Sequence, residues 1–461
     1  MSVPLIPITM NPTKMNNENK YLLQISDSLV AHFQLNRGQR IKVTLGQKTI
    51  PMYVQQIAGA VKELFLSEST LKEFHLPIRK FTFQAMYQPD NQELTLGPII
   101  GLLTNLHSTN TSDIHFRSIH AFCEELHQEV TERGGFFYVF TFDQPMGKGY
   151  YFENGKWTLA KLPLPNVIYN RIHSRRLEKQ KSYLAFRQRL EQLMIPLFND
   201  RFLSKWEIYE HVKEENQLTP FIPETILFSK DHLKKFANKY QTVFLKPIHG
   251  SQGRNIIKII KNTKENHYTL QTSLSFPLKD LLAQYTIDEI YQLLKPILNN
   301  HIYIIQQGID LFTHNSCAVD FRVLCHKNLN DDWKVTSTVA RIAAEQEFVS
   351  NIARGGTITR PIYALQNGMT QKKAVEAIAL MKELAIETAS VISRHTEGLF
   401  GELGIDIGID QSGKPWLIEV NSKPSKNFED GLGKIRPSAK AIIQFCTELA
   451  FDFAVVKEDF T

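Results

Sequence analysis

The chain has 461 residues, 43% hydrophobic and 22% charged, with a formal net charge of +6. That length exceeds what one core can serve, so roughly two to four domains are expected, with no room for long disordered tracts. The positive balance is mild and spread over the whole length; it fits anionic small molecules at least as well as nucleic acid, and no nucleic-acid partner is expected.

The opening residues, MSVPLIPITMNPTKMNNENK, lack the basic-then-apolar layout of a signal segment. No run of about 18 apolar residues follows, so no membrane span and a cytoplasmic location are expected. Residues 1–92 read as a small β-rich module. Arg40 to Leu45 alternates strictly, Gly46-Gln47 turns, Thr49 to Ile57 continues as a second strand, and a short helix falls at 69–74. The turn Gln88-Pro89-Asp90-Asn91 closes it.

Residues 93–196 read as an α/β layer. The run LTLGPIIGLLT (94–104) suits one buried strand, His115 to Arg133 has helical spacing, and FFYVFTF (136–142) and NVIYNR (166–171) are further strands. Asn154-Gly155 marks a hairpin turn. The basic stretch RIHSRRLEKQK (171–181) reads as a solvated helix start. From residue 197 to 461, α and β pieces alternate with Gly-rich joints. A long helix over 371–397 ends at Gly398, and a final amphipathic helix covers 438–456. The four cysteines, at 123, 317, 325 and 446, have no metal-type spacing and read as reduced thiols.

The chemistry concentrates in this last part. Lys246 follows the strand TVFL and precedes His249-Gly250-Ser251-Gln252-Gly253, whose glycines free backbone N–H groups to wrap phosphate oxygens. Its lysine comes before the glycines, so it is no Walker A loop. Lys205 stands alone among aromatic and apolar neighbours, and IYIIQQGIDL (302–311) is an apolar strand that breaks at Gly308. Arg322 and Arg341 lie on strands, where a buried guanidinium needs an anionic partner. That partner is either a substrate carboxylate or a core acid such as Asp320. Asn351, Arg354, Gly355 and Gly356 form a loop able to hold a carboxylate or a phosphorylated intermediate. Asp406 then falls in the strand run GELGIDIGID and Glu419 and Asn421 in PWLIEVNSKPS, with Ser412-Gly413 turning between them. Period-two alternation puts Glu419 and Asn421 on one face, and Asp406 comes from the neighbouring strand, so three hard oxygen ligands suited to Mg²⁺ can converge.

Taken in order, lone Lys, Lys with Gly-rich loop, hinge strand, two Arg strands, Asn-x-x-Arg-Gly-Gly and Asp…Glu-x-Asn, residues 197–430 resemble the ATP-grasp superfamily. The wording YNRIHSRRLE, FLKPIHGSQGRNI, DFRVL and FGELGIDIGID is similar to its endospore coat-associated YheC/YheD type. The resemblance implies an α+β ATP-grasp fold, two α+β subdomains gripping ATP, preceded here by the α/β layer and the β-rich module. It implies that Lys205 and Lys246 contact the phosphates, that Gly250, Ser251 and Gly253 close over them, and that Gln306, Gln307 and Ile309 border adenine. Asp406, Glu419 and Asn421 would hold Mg²⁺, while Arg322, Arg341, Asn351 and Arg354 would serve the acceptor. The expected activity is a Mg-ATP-dependent carboxylate–amine ligase working through an acyl phosphate, with an unidentified acid and amine as substrates and spore coat proteins as candidate partners. The alternatives are a nucleotide-binding coat or scaffold protein without turnover, and a phosphotransferase. Gly404 stands where some dipeptide ligases carry Arg, so anion stabilisation would fall to Arg322 and Arg341.

Overall fold

The computed structural model describes residues 5–14, 20–106, 114–250, 253–262, 267–273, 284–298, 301–330, 332–344, 355–426 and 435–456. Seven strands between Ile6 and Gly97 close a barrel. In Arg40–Leu45, Ile41, Val43 and Leu45 turn inward and are buried while Arg40 and Lys42 face solvent, the period of two that a barrel wall imposes. The short helix is Glu68–Glu73, N-capped by the Ser67 hydroxyl, which accepts from Thr70 N at 3.1 Å. A second helix, Asp27–Phe33, carried no signal strong enough to read.

The run 94–104 is two strands in two sheets, not one. Glu93–Gly97 completes the barrel beside Arg40–Leu45 and Phe81–Gln88, and Ile99–Leu103 is central in the next sheet. Pro98 stands between them; it has no N–H to give to a ladder, and the chain changes sheet there. Ile99–Leu103 pairs in parallel with Phe136–Phe140 and Val167–Asn170, and Val167–Asn170 with Leu197–Phe198. The hairpin Lys148–Glu153 and Lys156–Lys161 adds two antiparallel strands at the other edge. A continuous apolar cluster runs from Ile6 in the barrel to Ile195, so barrel and layer share a core.

Two antiparallel sheets follow. The first orders Thr225–Leu227, Tyr303–Gln307, Thr242–Pro247, Ile257–Lys261 and Tyr268–Thr272. Helices Lys230–Lys239 and Ile287–Leu298 supply Leu233, Phe236, Ile290 and Leu294 to its core. The second orders Thr357–Thr359, Trp333–Ile342, Cys317–Lys327, Glu402–Ile409 and Pro415–Asn421. The 25-residue helix Gln371–His395 covers one face of it, with Ala377, Met381, Leu384 and Ala385 in the shared cluster. The last helix, Pro437–Val456, packs against His120–Arg133 and also against the strands Cys317–Lys327 and Trp333–Ile342, and its Ile442, Ile443 and Phe445 join Phe122 and Leu126. All four cysteines are free thiols, three buried and Cys317 half-buried.

The seam between barrel and layer is polar at one point. Gly46 O accepts from Asn166 Nδ2 at 3.2 Å, Asn166 Oδ1 accepts from Ile99 N at 2.8 Å, and Gln47 Nε2 donates to Pro165 O at 2.9 Å. Gly46 has φ +61°, and a Cβ there would meet Leu164 O at 2.2 Å. Gly46→Ala should therefore cost about 2–3 kcal/mol, combining left-handed strain with a backbone clash. Chemical denaturation of the full chain checks it. Removing residues 1–97 should lose soluble, cooperatively folding protein, because it strips one side from the shared core.

Candidate active site

The hairpin Glu402–Ile409 and Pro415–Asn421 sets Asp406 opposite Glu419 and Gly404 opposite Asn421. Its turn is fixed by Asp410, whose Oδ1 accepts from Ser412 N at 2.9 Å and Lys414 N at 3.1 Å, the local bonding that favours Asp in turns. Leu403, Ile405 and Ile407 face the core and are fully buried. The opposite face carries Glu402, Gly404 and Asp406. Asn421 Nδ2 donates to Asp406 Oδ2 at 3.2 Å, and the register sets Glu419 on the same face of the hairpin.

Each acid on this face has a cation on it. Asp406 receives Arg322 in a two-pronged pair, with Nη2 at 2.9 Å from Oδ2, and Arg341 Nη2 at 3.1 Å. Burial would raise the Asp406 pKa, but the two guanidiniums outweigh it and hold the carboxyl well below its ordinary value. Arg341 Nε also lies at 2.5 Å from Asp320 Oδ1. Glu419, a quarter exposed, takes Lys205 Nζ at 2.5 Å on Oε1. Glu402, fully buried, is met by Lys426, by His326 Nε2 at 3.1 Å, by Arg171 at 3.6 Å and by the Tyr169 hydroxyl at 2.6 Å.

A cleft with about 460 Å³ of empty space, part of it open to solvent, lies between the two antiparallel sheets. Ile208, Tyr209, Val212, Ile222, Pro223, Ile304 and Leu417 make its apolar walls, and Lys205, Lys246, Thr225, Gln306 and Glu419 supply polar groups. Lys205 and Lys246 thus share one cavity although 41 residues separate them in sequence. Lys205 opens the helix Lys205–Lys213, whose N-terminus is fixed by a capping box between Ser204 and Glu207. Its backbone N donates to Ile248 O at 3.0 Å, and its Nζ lies 3.4 Å from Gly250 O, tying it to the Gly-rich loop. Lys246 Nζ donates to Gln306 Oε1 at 2.6 Å, and Gln306 Nε2 donates to Thr225 Oγ1 at 3.0 Å. Burial first, then the Lys205 charge, brings the Lys246 pKa down to about 8.

Other expected site residues fall elsewhere. Gln307 turns aside, its Oε1 accepting from Glu224 N at 3.2 Å, and neither it nor Ile309 lines the cleft. Arg322 and Arg341 do not line it either and do not stand free for a carboxylate. The core-pair alternative holds for Arg341 with Asp320, and both arginines also serve Asp406, because buried guanidiniums so close to carboxylates pair with them. Asn351, Arg354 and Ser251 lie outside the described residues. The stretch 171–181 is not simply a solvated helix start: Arg171 is 2% exposed and donates to Pro424 O at 2.8 Å. Tyr209 and Thr225, both in the cleft, carried no motif that could have flagged them. Gly404 is explained by packing, since a Cβ there would come within 2.7 Å of Pro424 Cβ and 3.4 Å of Arg322 Cδ.

Among the described residues no three His, Cys, Asp or Glu side chains form a metal cluster. Asp406, Glu419 and the Asn421 amide are the hard-oxygen donors here of the kind Mg²⁺ takes, and a metal ion would have to draw the two carboxylates from Arg322, Arg341 and Lys205. No helix among the described residues is long and apolar enough to cross a membrane.

The family described as YheC/D like ATP-grasp matches residues 194–449, more than half of the chain. The chain is 25% identical over 430 residues to the endospore coat-associated protein YheD of Bacillus subtilis (strain 168), covering 89% of this chain and 91% of that protein. With YheC of the same organism it shares 22% identity over 305 residues, covering 64% and 80%. The probable tubulin polyglutamylase TTLL2 of Homo sapiens is 26% identical over 236 residues, covering 46% and 38%. The chain belongs to the YheC/D-like ATP-grasp family and has its α+β nucleotide-binding fold.

Arg322→Met should cost about 3–5 kcal/mol by leaving Asp406 buried with one guanidinium fewer. Adding Asp406→Asn should restore part of that loss, and a double-mutant cycle by chemical denaturation reads the coupling. Because the folded Asp406 pKa is depressed, its contribution is present above the unfolded carboxylate value of about 4 and fades as pH falls through the folded value. The Asp406→Asn variant should lack that acid-side slope.

Proposed function

We propose that the protein is a Mg-ATP-dependent carboxylate–amine ligase that works through an acyl phosphate. The observation that carries the reading is the convergence of Lys205, Lys246 and Glu419 in one apolar-walled cleft, with Asp406 and Asn421 beside Glu419. Family membership supports ATP as substrate, and the polyglutamylase description of one relative supports acid–amine joining.

In this reading adenine lies between the apolar walls, with Gln306 and Thr225 offering polar edges. The phosphates run toward Lys205 and Lys246. Counting Lys205, Lys246, Arg322 and Arg341 against Asp320, Asp406 and Glu419, the site carries one cation more than carboxylates. That favours a polyanionic substrate. Lys205 exchanges its bond with Glu419 for a phosphate oxygen on binding, releasing Glu419 as a ligand. Mg²⁺, held by Asp406, Glu419 and Asn421, would neutralise phosphate charge as the substrate carboxylate attacks. Arg322 and Arg341 keep Asp406 ionised and fixed, acting through it and not on the substrate. The attacking carboxylate displaces ADP to give the acyl phosphate; the amine then attacks the acyl carbon, expels phosphate and loses a proton.

A second reading, a nucleotide-binding scaffold without turnover, is favoured by one observation: both strand arginines are occupied by acids. The coat-associated description of the two Bacillus relatives is compatible with either. Amino acids and short peptides screened for stimulated ADP release, with products weighed by mass spectrometry, separate the readings. A product heavier than its parent by an amide-linked residue supports the ligase, a phosphorylated product supports a phosphotransferase, and binding without release supports the scaffold.

Two further outcomes test the cleft. Lys205→Met or Lys246→Met should weaken ATP binding by about tenfold or more, measured by titration calorimetry. Above pH 8 the empty-state Lys246 loses its proton, so ATP affinity should fall by up to about tenfold per pH unit, and Lys246→Arg should flatten that decline.

A further inference from the structure

Three acids approach the segment that follows the strand Val167–Asn170: Glu419 on the cleft wall, Glu178 and Glu207. They are the carboxylates that favour the Arg175 charge, against a burial that lowers its pKa. Each already has a nearer cation. Glu419 holds Lys205, Glu178 holds Lys423, and Glu207 holds Arg201 at 2.8 Å. Among the described residues the Arg175 side chain has no ion pair and no hydrogen bond. Its guanidinium lies 4.8 Å from the centre of the Phe202 ring, which Lys423 Nζ approaches to the same distance. Arg175 is therefore a surplus cation, half-buried and steadied on an aromatic face, with five donors to satisfy.

Its surroundings extend the charge. His249, exposed in the loop after Lys246, feels both Arg175 and Lys179. Arg176 and Lys179 are exposed beside it. The patch thus lies between the Glu419 wall of the cleft and the loop that follows Lys246. The two strand arginines cannot receive that acceptor without giving up Asp320 or Asp406.

We propose that Arg175 receives the substrate carboxylate at the mouth of the cleft, and that Arg176 and Lys179 select a substrate bearing several carboxylates. This rests on the ligase reading and names its substrate class. A planar, half-desolvated guanidinium can bind a carboxylate through two parallel hydrogen bonds. The exposed cations around it add long-range attraction that salt screens.

The test uses the full chain, a fluorescein-labelled hexaglutamate probe with hexaglutamine and free glutamate as comparisons, and a fluorescent ADP analogue with Mg²⁺ as an independent readout. Hexaglutamate should bind the wild type, more tightly than free glutamate and far more tightly than hexaglutamine. Arg175→Ala should weaken it by about tenfold or more and Arg175→Lys by less, because Lys keeps charge but loses the planar fork. Lys179→Ala should cost about two- to threefold and reduce the salt dependence. ADP affinity should stay within about twofold in every variant, which also reports that the cleft is folded. No hexaglutamate binding by the wild type, equal binding of hexaglutamine, or an Arg175→Ala variant that binds hexaglutamate normally would each overturn the proposal. Loss of ADP affinity in Arg175→Ala with hexaglutamate binding intact would overturn it too, by moving Arg175 to the nucleotide. Failure of the wild type to bind ADP would instead strike the ligase reading itself.

Discussion

The structure depends on one constraint: the strand Glu402–Ile409 carries two carboxylates on a face that the fold buries, and neither can stay there alone. An unpaired ion in such a place costs several kcal/mol, so every acid must draw a cation to itself. Glu402 draws Arg171, His326 and Lys426, and Asp406 draws Arg322 and Arg341. On the next strand Glu419 draws Lys205. These partners come from five separate stretches of sequence, and meeting the charge requirement brings those stretches together.

The two ends of the face use this requirement differently. At Glu402 everything is sealed: Arg171, His326 and Glu402 are almost fully buried, and the Tyr169 hydroxyl closes the remaining acceptor. That cluster joins the α/β layer to the second antiparallel sheet. At Asp406 and Glu419 the same chemistry reaches solvent, and Lys205 and Lys246 stand in an open cleft. The ion pair that fills a site without ligands is also what a polyanion with its cation can displace, so structural pairing grades into a binding site along one strand.

The long helix Gln371–His395 serves the opposite face of that sheet. Its Met381 and Ala385 share a core with Leu403, Ile405 and Ile407, which fixes the hairpin register. A slip of one residue would bury Asp406 among apolar side chains and turn Ile405 to the cleft. The apolar face therefore holds the polar face in aim.

The sequence by itself determined whatever depends on local periodicity and short-range turns. The alternation of Arg40–Leu45, the hairpin of Asp406, Glu419 and Asn421, and the helix beginning at Gln371 were legible because period and turn chemistry act over a few residues. The meeting of Lys205 with Lys246 was legible from the order of motifs. Tertiary structure alone decided the rest. Arg171 and Arg175 share one basic stretch, yet one is buried against Glu402 and the other stands over Phe202. By sequence Arg322 and Arg341 suit substrate ligands or core pairs, and only the fold brings Asp406 and Asp320 to hold them. Turn chemistry divides a β-rich module from the layer that follows it, and only the tertiary structure shows one apolar cluster spanning both, through the two strands that Pro98 divides. In each case the deciding term is whether a long-range partner comes within a few ångströms, and charge pairing and burial carry no local signature in the chain.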